Sequence, residues 1–383
     1  MRRTLYDEAH ELFRKTVRTL IEREVAPHFG DWERAGIVDR ALYRHAGAAG
    51  LLGLTIPEEF GGGGSADFRF EAVIQEEFGA SGMLNAGQGI LNHNVAVAYL
   101  RSVADEQQRA RWFPGLASGE LLATVAMTEP GTGSDLNAIA TRAIRDADTY
   151  VLSGAKTFIS SAHSSDLVVV ACKTGDSGDR GRALSLLVVE SGTPGFRRGR
   201  NLDKVGQHAA DTGELFFDDV AVPAANLLGE ENQGFRYLVE NLPSERLGIA
   251  VVALAHAEAA FGWTLEYCKE RHAFGSPIGS FQNSRFALAT MRTELDVGSA
   301  FVDRQIEALN RGELSAEEAA EAKWWCTDLN RRVLDTCLQL HGGYGYMEEY
   351  PIARAWRDGR VMSIYGGTNE IMKELIGRRM LGV

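Results

Sequence analysis

The stretch Ala126-Met-Thr-Glu-Pro-Gly-Thr-Gly-Ser-Asp-Leu136 decides how the rest of the chain is interpreted. It begins like the end of a strand, turns at Pro-Gly, and continues into Gly-Ser-Asp, which is a possible helix start. Its exposed backbone N–H groups and the hydroxyls of Thr128 and Ser134 could hold a polar ligand. A plain β-turn explains the same residues, and spacing alone does not separate the two interpretations.

The composition changes on either side of this stretch. Before about residue 120, apolar residues recur at helical spacing, and after it the segments are short, β-branched and separated by turn residues. From residue 233 the helical pattern returns. The pattern predicts an α+β multidomain protein with an N-terminal helical domain over 1–122, a central β-barrel or sandwich domain over 123–231, and a C-terminal four-helix bundle over 232–383.

Individual elements can be predicted within these zones. The expected strands are Tyr150–Ser153, Thr157–Ser160, Leu167–Cys172, Ser185–Glu190 and Gly213–Phe217. The expected long helices of the last zone are 233–271, 283–310, 314–341 and 368–380. Pro243 lies inside the first of these helices, so it must either start the helix proper or kink it. No Gly-x-Gly-x-x-Gly opens a βαβ unit, which argues against a Rossmann fold.

Charge and hydropathy argue against several classes of protein. The chain has 40 basic and 52 acidic residues and a formal charge of −12. This balance argues against nucleic acid as the main partner, but not against a small anionic ligand. No apolar run approaches the ~20 residues of a membrane span. The N-terminus lacks the apolar region of a secretory signal, so we expect a cytoplasmic protein. Neither cysteines nor histidines show metal-ligand spacing, and no metal is expected.

Four further motifs follow the first in order. They are Lys156-Thr-Phe-Ile-Ser160, Glu270-Arg-His-Ala-Phe-Gly275 with Ile278-Gly-Ser-Phe-Gln282, Gln339-Leu-His-Gly-Gly-Tyr-Gly-Tyr346, and Tyr365-Gly-Gly-Thr-Asn-Glu-Ile371. Together the five motifs resemble the signatures of the acyl-CoA dehydrogenase family, and Pro243-Ser-Glu-Arg246 combined with the last motif most resembles its long-chain branch. The resemblance implies an FAD-dependent enzyme that converts a saturated acyl-CoA, expected to be long-chain, into trans-2-enoyl-CoA.

The resemblance also implies the residues of the site. The implied FAD-binding residues are Met127, Thr128, Gly133, Ser134, Phe158, Ile159, Ser160, Arg271, Phe274, Gln282, Gln339, Gly342, Gly343, Thr368, Asn369 and Glu370. The implied substrate-binding residues are Ser134, Tyr237, Pro243, Ser244, Arg246, Gly366 and Gly367. The chemistry agrees for Arg271, whose planar charged fork suits a pyrophosphate, although a surface ion pair is the commoner role of a single arginine.

The reaction needs a carboxylate base beside the substrate. Many members of the family carry it directly after the tyrosine of the closing motif, where this chain has Gly366. The long-chain and isovaleryl branches place it on the first bundle helix, before an arginine, and here Glu245 precedes Arg246. We therefore expect Glu245 to be the base and flavin N5 to accept the hydride. Gly366 would leave room for the carboxylate and donate its N–H to the thioester oxygen.

Partners and alternatives complete the expectations. The resemblance implies an electron-transfer flavoprotein as electron acceptor. It also implies a homotetramer, a dimer of dimers, in which the loop Gln339–Gly343 meets the FAD of a neighbouring subunit. Two other functions stay open: a monooxygenase-like relative that needs no base, and a non-catalytic module that binds flavin or acyl-CoA. Glu245 argues against both, because neither has a use for a base.

Overall fold

The computed structural model describes residues 3–175 and 183–382, which form three parts in chain order. Six α-helices come first within this described chain, a mixed sheet follows, and a second group of helices comes last. This order confirms the predicted fold class, a multidomain α+β protein with helical ends and a central β region.

The N-terminal helices surround the first part of the core. They are α1 (Glu8–Leu20), α2 (Phe29–Ala35), α3 (Arg40–Ala48), α4 (Phe68–Ala80), α5 (Leu84–Val103) and α6 (Glu106–Ser118). A capping box begins α6: the Asp105 carboxylate accepts from the Gln108 N–H at 2.8 Å, and the Gln108 side chain accepts from the Asp105 N–H at 3.1 Å. This pairing satisfies two N–H groups that a helix start leaves free.

The central strands form one eight-stranded mixed sheet. They are β1 (Ala123–Ala126), β2 (Arg142–Asp146), β3 (Thr149–Ser160), β4 (Leu167–Lys173), β5 (Leu184–Glu190), β6 (Phe196–Asn201), β7 (Thr212–Pro223) and β8 (Leu227–Leu228). The order across the sheet is β6-β7-β3-β2-β4-β5-β8, and β1 pairs with β4 in parallel. The sheet therefore brings β1 and β3, the strands next to the first two motifs, into one layer.

Two predicted strands are one in the structure. Residues 150–153 and 157–160 both belong to β3, which pairs with β7 through two register shifts. Gly154 lies at the first shift, where a Cβ would come within 2.5 Å of the Thr141 hydroxyl oxygen. A glycine inside a strand can mark a bulge and a close approach, so the interruption in the sequence pattern is not the end of the strand.

The apolar strand β4 is buried on both faces. Val169 and Ala171 contact the cluster that includes Trp112 of α6, whereas Val168 and Val170 lie in the core of the β part. A strand covered on both sides has a continuous apolar sequence instead of an alternating one. The sheet is thereby fixed against α5 and α6, on the side of the N-terminal helices.

The last part is built around one long helix. The helices are α7 (Gly234–Glu270), α8 (Gln282–Asn310), α9 (Ala316–His341), α10 (Pro351–Gly359) and α11 (Asn369–Leu381). The four long predicted helices are confirmed, and α10 adds a short one. Pro243 does not start α7, because the helix begins nine residues earlier and continues through it. α7 packs against α4, α8 and α9 and so joins the two helical parts.

α7 bears on the expectation about membrane-spanning segments. By length and composition it is apolar enough to cross a membrane, because its central residues carry few charges. In the structure, 72% of its most apolar window is buried inside the protein. This burial is typical of the central helix of a folded core, whose apolar residues face neighbouring helices all round.

Candidate active site

The motif 156–160 forms a bulge that turns an aromatic ring outward. The register between β3 and β7 shifts between Lys156 and Ile159, and Phe158 adopts a φ of +57°. This left-handed conformation is strained for a bulky residue and is often found at functional sites. The Phe158 side chain is 68% exposed, whereas Ile159 is buried in the β core and Ser160 is half-buried. The bulge therefore presents an apolar ring that the chain itself leaves uncovered.

A buried ion pair holds the signature loop, residues 127–134, beside this bulge. The fully buried Lys156 ammonium donates to the Glu129 carboxylate and to the Met127 carbonyl, both at 2.8 Å. Glu129 also accepts the N–H groups of Ala140 and Thr141 at 2.6 and 3.0 Å. Burial alone would raise the pKa of Glu129, but the hydrogen bonds from Lys156 and Thr141 outweigh it and hold that pKa below its ordinary value. Glu129 is therefore ionised at neutral pH.

The predicted residues of the signature loop lie along the same surface as the exposed ring. The Thr128 carbonyl accepts from the Thr157 N–H at 3.0 Å, which joins the loop to the bulge. Met127 and Thr128 are half-buried, and Gly133 and Ser134 are exposed farther along the loop. The loop therefore places backbone and hydroxyl groups next to the bulge that carries the uncovered ring, and this arrangement suits a flat heterocycle with a polar edge.

Glu245 lies on α7 between the N-terminal helices and the closing loop, residues 365–369. Its Oε2 accepts from the Tyr99 hydroxyl of α5 at 3.4 Å. Burial raises the pKa of Glu245, and the nearby Arg246 charge and the Tyr99 hydrogen bond offset this only in part. Burial, followed by the charge of Glu245, raises the pKa of Tyr365, so the carboxylate is also close to the closing loop. A half-buried carboxylate with a raised pKa can act as a base.

The closing loop turns at two consecutive glycines. Gly366 and Gly367 have φ angles of +64° and +90°, which glycine adopts without the penalty of a side chain. A Cβ on Gly366 would lie 2.3 Å from Cδ1 of Ile249. Ile249 follows Glu245 by one turn on the same face of α7. Gly366 therefore packs against the helix face that carries Glu245, and Ile249 fills part of the space that the glycine leaves.

The predicted substrate residues on α7 differ in their surroundings. Arg246 is buried, and its Nη2 lies 4.0 Å from the position that a Cβ of Gly367 would take. Pro243 and Ser244 are half-buried nearby. Tyr237 is buried in the core, where its hydroxyl accepts a backbone N–H at 3.0 Å. Arg246 is therefore next to the closing loop, whereas Tyr237 is part of the packing that supports α7.

A buried lysine outside the five motifs contacts the closing loop. Lys323 of α9 is fully buried, and its Nζ donates to the Gly367 carbonyl at 2.7 Å and to the Asn369 side-chain oxygen at 3.0 Å. The same Asn369 oxygen accepts from the Thr327 hydroxyl at 3.1 Å. Helical spacing could have indicated this residue, because Ala319 and Thr327, one turn away on either side, are buried as well.

The remaining residues of the closing motif begin α11. Thr368 is the N-cap of α11, since its hydroxyl accepts from the Ile371 N–H at 3.3 Å. Glu370 is exposed in the first turn. Asn369 is only 8% exposed and its side chain faces α9. Of these three, Thr368 and Glu370 are the ones that a ligand could reach.

A second group of predicted residues lies at the far end of α7. Arg271, Gly342 and Gly343 line a cavity of about 520 Å³, a volume within the range of ligand pockets. The Arg271 guanidinium carbon lies 5.4 Å from the centre of the Tyr344 ring. A Cβ on either glycine would have no atom within 4 Å among the described residues. The cavity therefore offers a charged fork beside backbone that a ligand can approach closely.

The hairpin beside this cavity exposes a second aromatic ring. β9 (His272–Ala273) and β10 (Ser276–Pro277) are paired, and Phe274 at the turn has a φ of +52° and is 99% exposed. Gln282 starts α8 and Gln339 lies in the last turn of α9, and both are exposed. An uncovered aromatic side chain with polar neighbours is typical of a surface that binds a partner or ligand.

The two groups fit the two halves of FAD. The ring of Phe158, with the polar groups of Thr128 and Ser160 near it, offers an apolar face and a polar rim to a flavin. The charge of Arg271 and the open backbone at Gly342 suit an anionic pyrophosphate. The residues present are therefore of the right kind for this cofactor.

Comparisons with known proteins agree with this description. The chain matches the N-terminal, middle and C-terminal domains of acyl-CoA dehydrogenase over residues 7–120, 124–220 and 232–381. A mitochondrial long-chain specific acyl-CoA dehydrogenase from Sus scrofa is 43% identical over 99% of this chain and 88% of its own. The crystal structure of an acyl-CoA dehydrogenase from Geobacillus kaustophilus is 48% identical over 98% of both chains, with a TM-score of 0.94. A glutaryl-CoA dehydrogenase from Mycobacterium smegmatis, in complex with FADH2, is 25% identical over 99% of this chain and 96% of its own, with a TM-score of 0.90.

Fold and site together define a flavoenzyme that acts on acyl thioesters. The chain belongs to the acyl-CoA dehydrogenase family. It is an oxidoreductase that uses FAD and dehydrogenates an acyl-CoA. These statements confirm what the five motifs predict about family, cofactor and class of reaction.

Replacing Lys156 with methionine tests the anchoring of the signature loop. Lys156→Met should lower the free energy of unfolding by about 3–5 kcal/mol, because it leaves the Glu129 carboxylate buried without its counter-charge. It should also reduce the FAD retained per chain, since the loop loses its anchor. Urea unfolding and flavin absorbance measure the two effects. Lys269→Met is the matched control, because Lys269 pairs with Glu266 at the surface and should cost less than about 1 kcal/mol. Equal losses in the two variants would contradict the anchoring role.

Proposed function

We propose that this enzyme removes the α-proton and a β-hydride from a saturated long-chain acyl-CoA and forms trans-2-enoyl-CoA, with Glu245 as the base. The observation that carries the proposal is the position of Glu245. It is half-buried on α7, its pKa is raised, and Ile249 one turn later contacts Gly366 of the closing loop. Family membership supports the class of reaction, and this environment supports the particular base.

In this proposal Glu245 takes the α-proton as a carboxylate. The electrons of the Cα–H bond form the double bond while a hydride leaves Cβ, so the proton ends on a Glu245 oxygen. FAD, when bound, supplies the hydride acceptor, its N5. An acyl chain lying against Glu245 would displace water and raise its proton affinity further, which brings its pKa closer to neutral pH. Arg246 limits this increase, because its charge favours the ionised carboxylate.

The proposed oxyanion donor is the Gly366 N–H. Within residues 3–175 and 183–382, this N–H donates to no protein acceptor. A backbone donor that is already oriented stabilises the negative charge that grows on the thioester oxygen when the α-proton leaves. The glycine lets the loop adopt a positive φ against Ile249, where any Cβ would lie too close to that side chain.

The preference for long acyl chains rests on similarity. The Sus scrofa relative carries the name long-chain specific acyl-CoA dehydrogenase. This chain also combines Glu245 before Arg246 with Gly366, the pattern that places the base on α7 instead of in the closing loop. Both features support a long-chain substrate as the proposal to be tested first.

The proposed FAD site is shared between two subunits. Glu245 and Arg271 are about 26 residues apart along α7, which corresponds to about 39 Å along the helix axis. About seven bonds of about 1.5 Å join the flavin ring to the pyrophosphate, a reach of about 10 Å. One FAD therefore does not contact both residues of the same chain. Arg271 and the loop Gln339–Gly343 would serve the FAD of a neighbouring subunit, in a homotetramer built as a dimer of dimers.

The proposed electron acceptor is an electron-transfer flavoprotein, and the proposed location is the cytoplasm.

Two alternative functions make other demands on the site. A monooxygenase-like relative needs no base, and a binding module needs no raised pKa at Glu245. The half-buried carboxylate beside Tyr99 and the closing loop therefore favours the dehydrogenase over both.

An anaerobic titration tests the proposed substrate. The purified yellow enzyme is mixed with saturated acyl-CoAs of increasing chain length while the flavin absorbance is followed. Bleaching should be greatest with the long chains, because these chains are the proposed substrates. A best response to short or branched acyl-CoAs would replace the long-chain assignment, and a flavin that no acyl-CoA bleaches would bring the monooxygenase-like and binding-module alternatives forward.

Glu245→Gln tests the base. The amide is nearly isosteric with the carboxylate but cannot take the α-proton, so flavin reduction by acyl-CoA should slow by about 10²- to 10⁴-fold. FAD content and acyl-CoA affinity should stay close to those of the wild type. Glu240→Gln is the matched control, because Glu240 is exposed on the same helix and pairs with Arg236. Rapid reduction in Glu245→Gln would show that another group is the base.

The pH dependence follows from the pKa of Glu245. Burial raises this pKa above its ordinary value of 4.5, and the base works only when deprotonated, so kcat/KM should rise with pH through the raised pKa. The folded state also binds this proton more tightly than the unfolded state. Its contribution to stability is therefore complete below about pH 4.5 and is lost as pH rises through the folded pKa. If kcat/KM instead rose with pH around the ordinary carboxyl pKa, the result would contradict Glu245 as the base in this buried environment.

A further inference from the structure

Lys323 is a fully buried lysine with no chemical step in the proposed reaction. Its Nζ lies 2.7 Å from the Gly367 carbonyl oxygen and 3.0 Å from the Asn369 side-chain oxygen. Burying an amine is costly unless it is hydrogen-bonded, and an apolar side chain at such a position is often as stable or more stable. Stability alone therefore does not explain why α9 carries a lysine directed at the closing loop.

The loop that Lys323 holds has unusual conformational freedom. Two consecutive glycines lose more backbone entropy on ordering than other residue pairs, so Gly366 and Gly367 need contacts that fix them. On one side of the pair, the Tyr365 N–H donates to the Val361 carbonyl at 3.2 Å. On the other side, Lys323 holds the peptide plane that follows Gly367. Holding both sides restricts the rotations of the peptide planes between them, including the plane that carries the Gly366 N–H.

We propose that Lys323 is a positioning residue, whose amine holds the Gly367 carbonyl and the Asn369 amide and so orients the Gly366 N–H toward the thioester oxygen. The inference rests on the proposed function, because it assigns Lys323 to the oxyanion donor of that reaction. Asn369 belongs to the same support, since its side-chain oxygen accepts from Lys323 and Thr327 of α9.

The electrostatic surroundings agree with a role through hydrogen bonds. The charged groups that act on Lys323 are Arg246 of α7 and Glu370 of α11. Burial, and next the Arg246 charge, lower the pKa of Lys323 to about 7, while Glu370 acts in the opposite direction. A neutral amine keeps two N–H donors, so both hydrogen bonds can persist when the proton is lost. The positioning role of Lys323 therefore depends on the N–H donors of its amine more than on the positive charge.

Lys323→Met tests this inference in the FAD-loaded enzyme. The variant keeps the apolar length of the side chain and removes the donors. Amide hydrogen exchange over residues 364–371, measured without substrate, should become at least about 10-fold faster, because the loop loses its anchor. With the best acyl-CoA, kcat should fall by about 10- to 100-fold and KM should change by less than about threefold, since a misplaced oxyanion donor affects the transition state most. FAD content should stay unchanged.

Lys373→Met is the matched control, because Lys373 is exposed on α11 and its amine lies over the Trp324 ring. It should leave exchange and kcat as in the wild type. If Lys323→Met only lowers the unfolding temperature, with exchange and kcat unchanged, Lys323 is structural and the inference is wrong. If Lys323→Met does not fold, Lys323→Arg replaces it: faster loop exchange together with a lower kcat supports the role, and wild-type exchange with a lower kcat overturns it.

The proposed function can fail separately. If no acyl-CoA bleaches the wild-type flavin, the reaction is wrong, and the orientation toward a thioester falls with it. The exchange measurement still decides whether Lys323 holds the loop, because it needs neither substrate nor turnover. Faster exchange combined with a bleachable wild-type flavin is the result that supports the complete inference.

Discussion

Within the described residues, two fully buried lysine amines each donate to a backbone carbonyl, and each contacts one of the two loops of the candidate active site. Lys156 donates to Met127 and Glu129, and Lys323 donates to Gly367 and Asn369. Both loops are rich in glycine and lie outside the regular hydrogen bonding of sheet and helix. A loop that must stay open to a ligand cannot be covered by apolar packing, so polar anchors behind it provide the order that function needs.

α7 connects this local order to the whole molecule. One helix carries Glu245 near its start, is capped by Arg271 at its end, and packs against α4 and α9 on the way. Burial raises the pKa of Glu245, and the length of α7 separates Glu245 from Arg271, which lines the cavity at its end. The same packing that stabilises the core therefore sets both the pKa of Glu245 and its distance from Arg271.

Much of the fold could be predicted, because long helices and the change to β-branched segments leave clear periodic patterns. The strands that the sequence pattern does not predict correctly differ from it for physical reasons. Gly154 interrupts the pattern of β3 although the strand continues as a bulge. The strands β2 and β6 are mostly polar, so they show no apolar signal.

By itself, the sequence determined the order of the domains, the family motifs and the choice of Glu245, because these depend on residue type and spacing along the chain. Only the tertiary structure decided what surrounds those residues. Burial raises the pKa of Glu245, Ile249 fills the space beside Gly366, and Asn369 faces α9 instead of the ligand surface. Solvation and contacts between distant segments exist only in the folded chain, which is why Lys323 carries no motif and yet holds the loop on which the proposed chemistry depends.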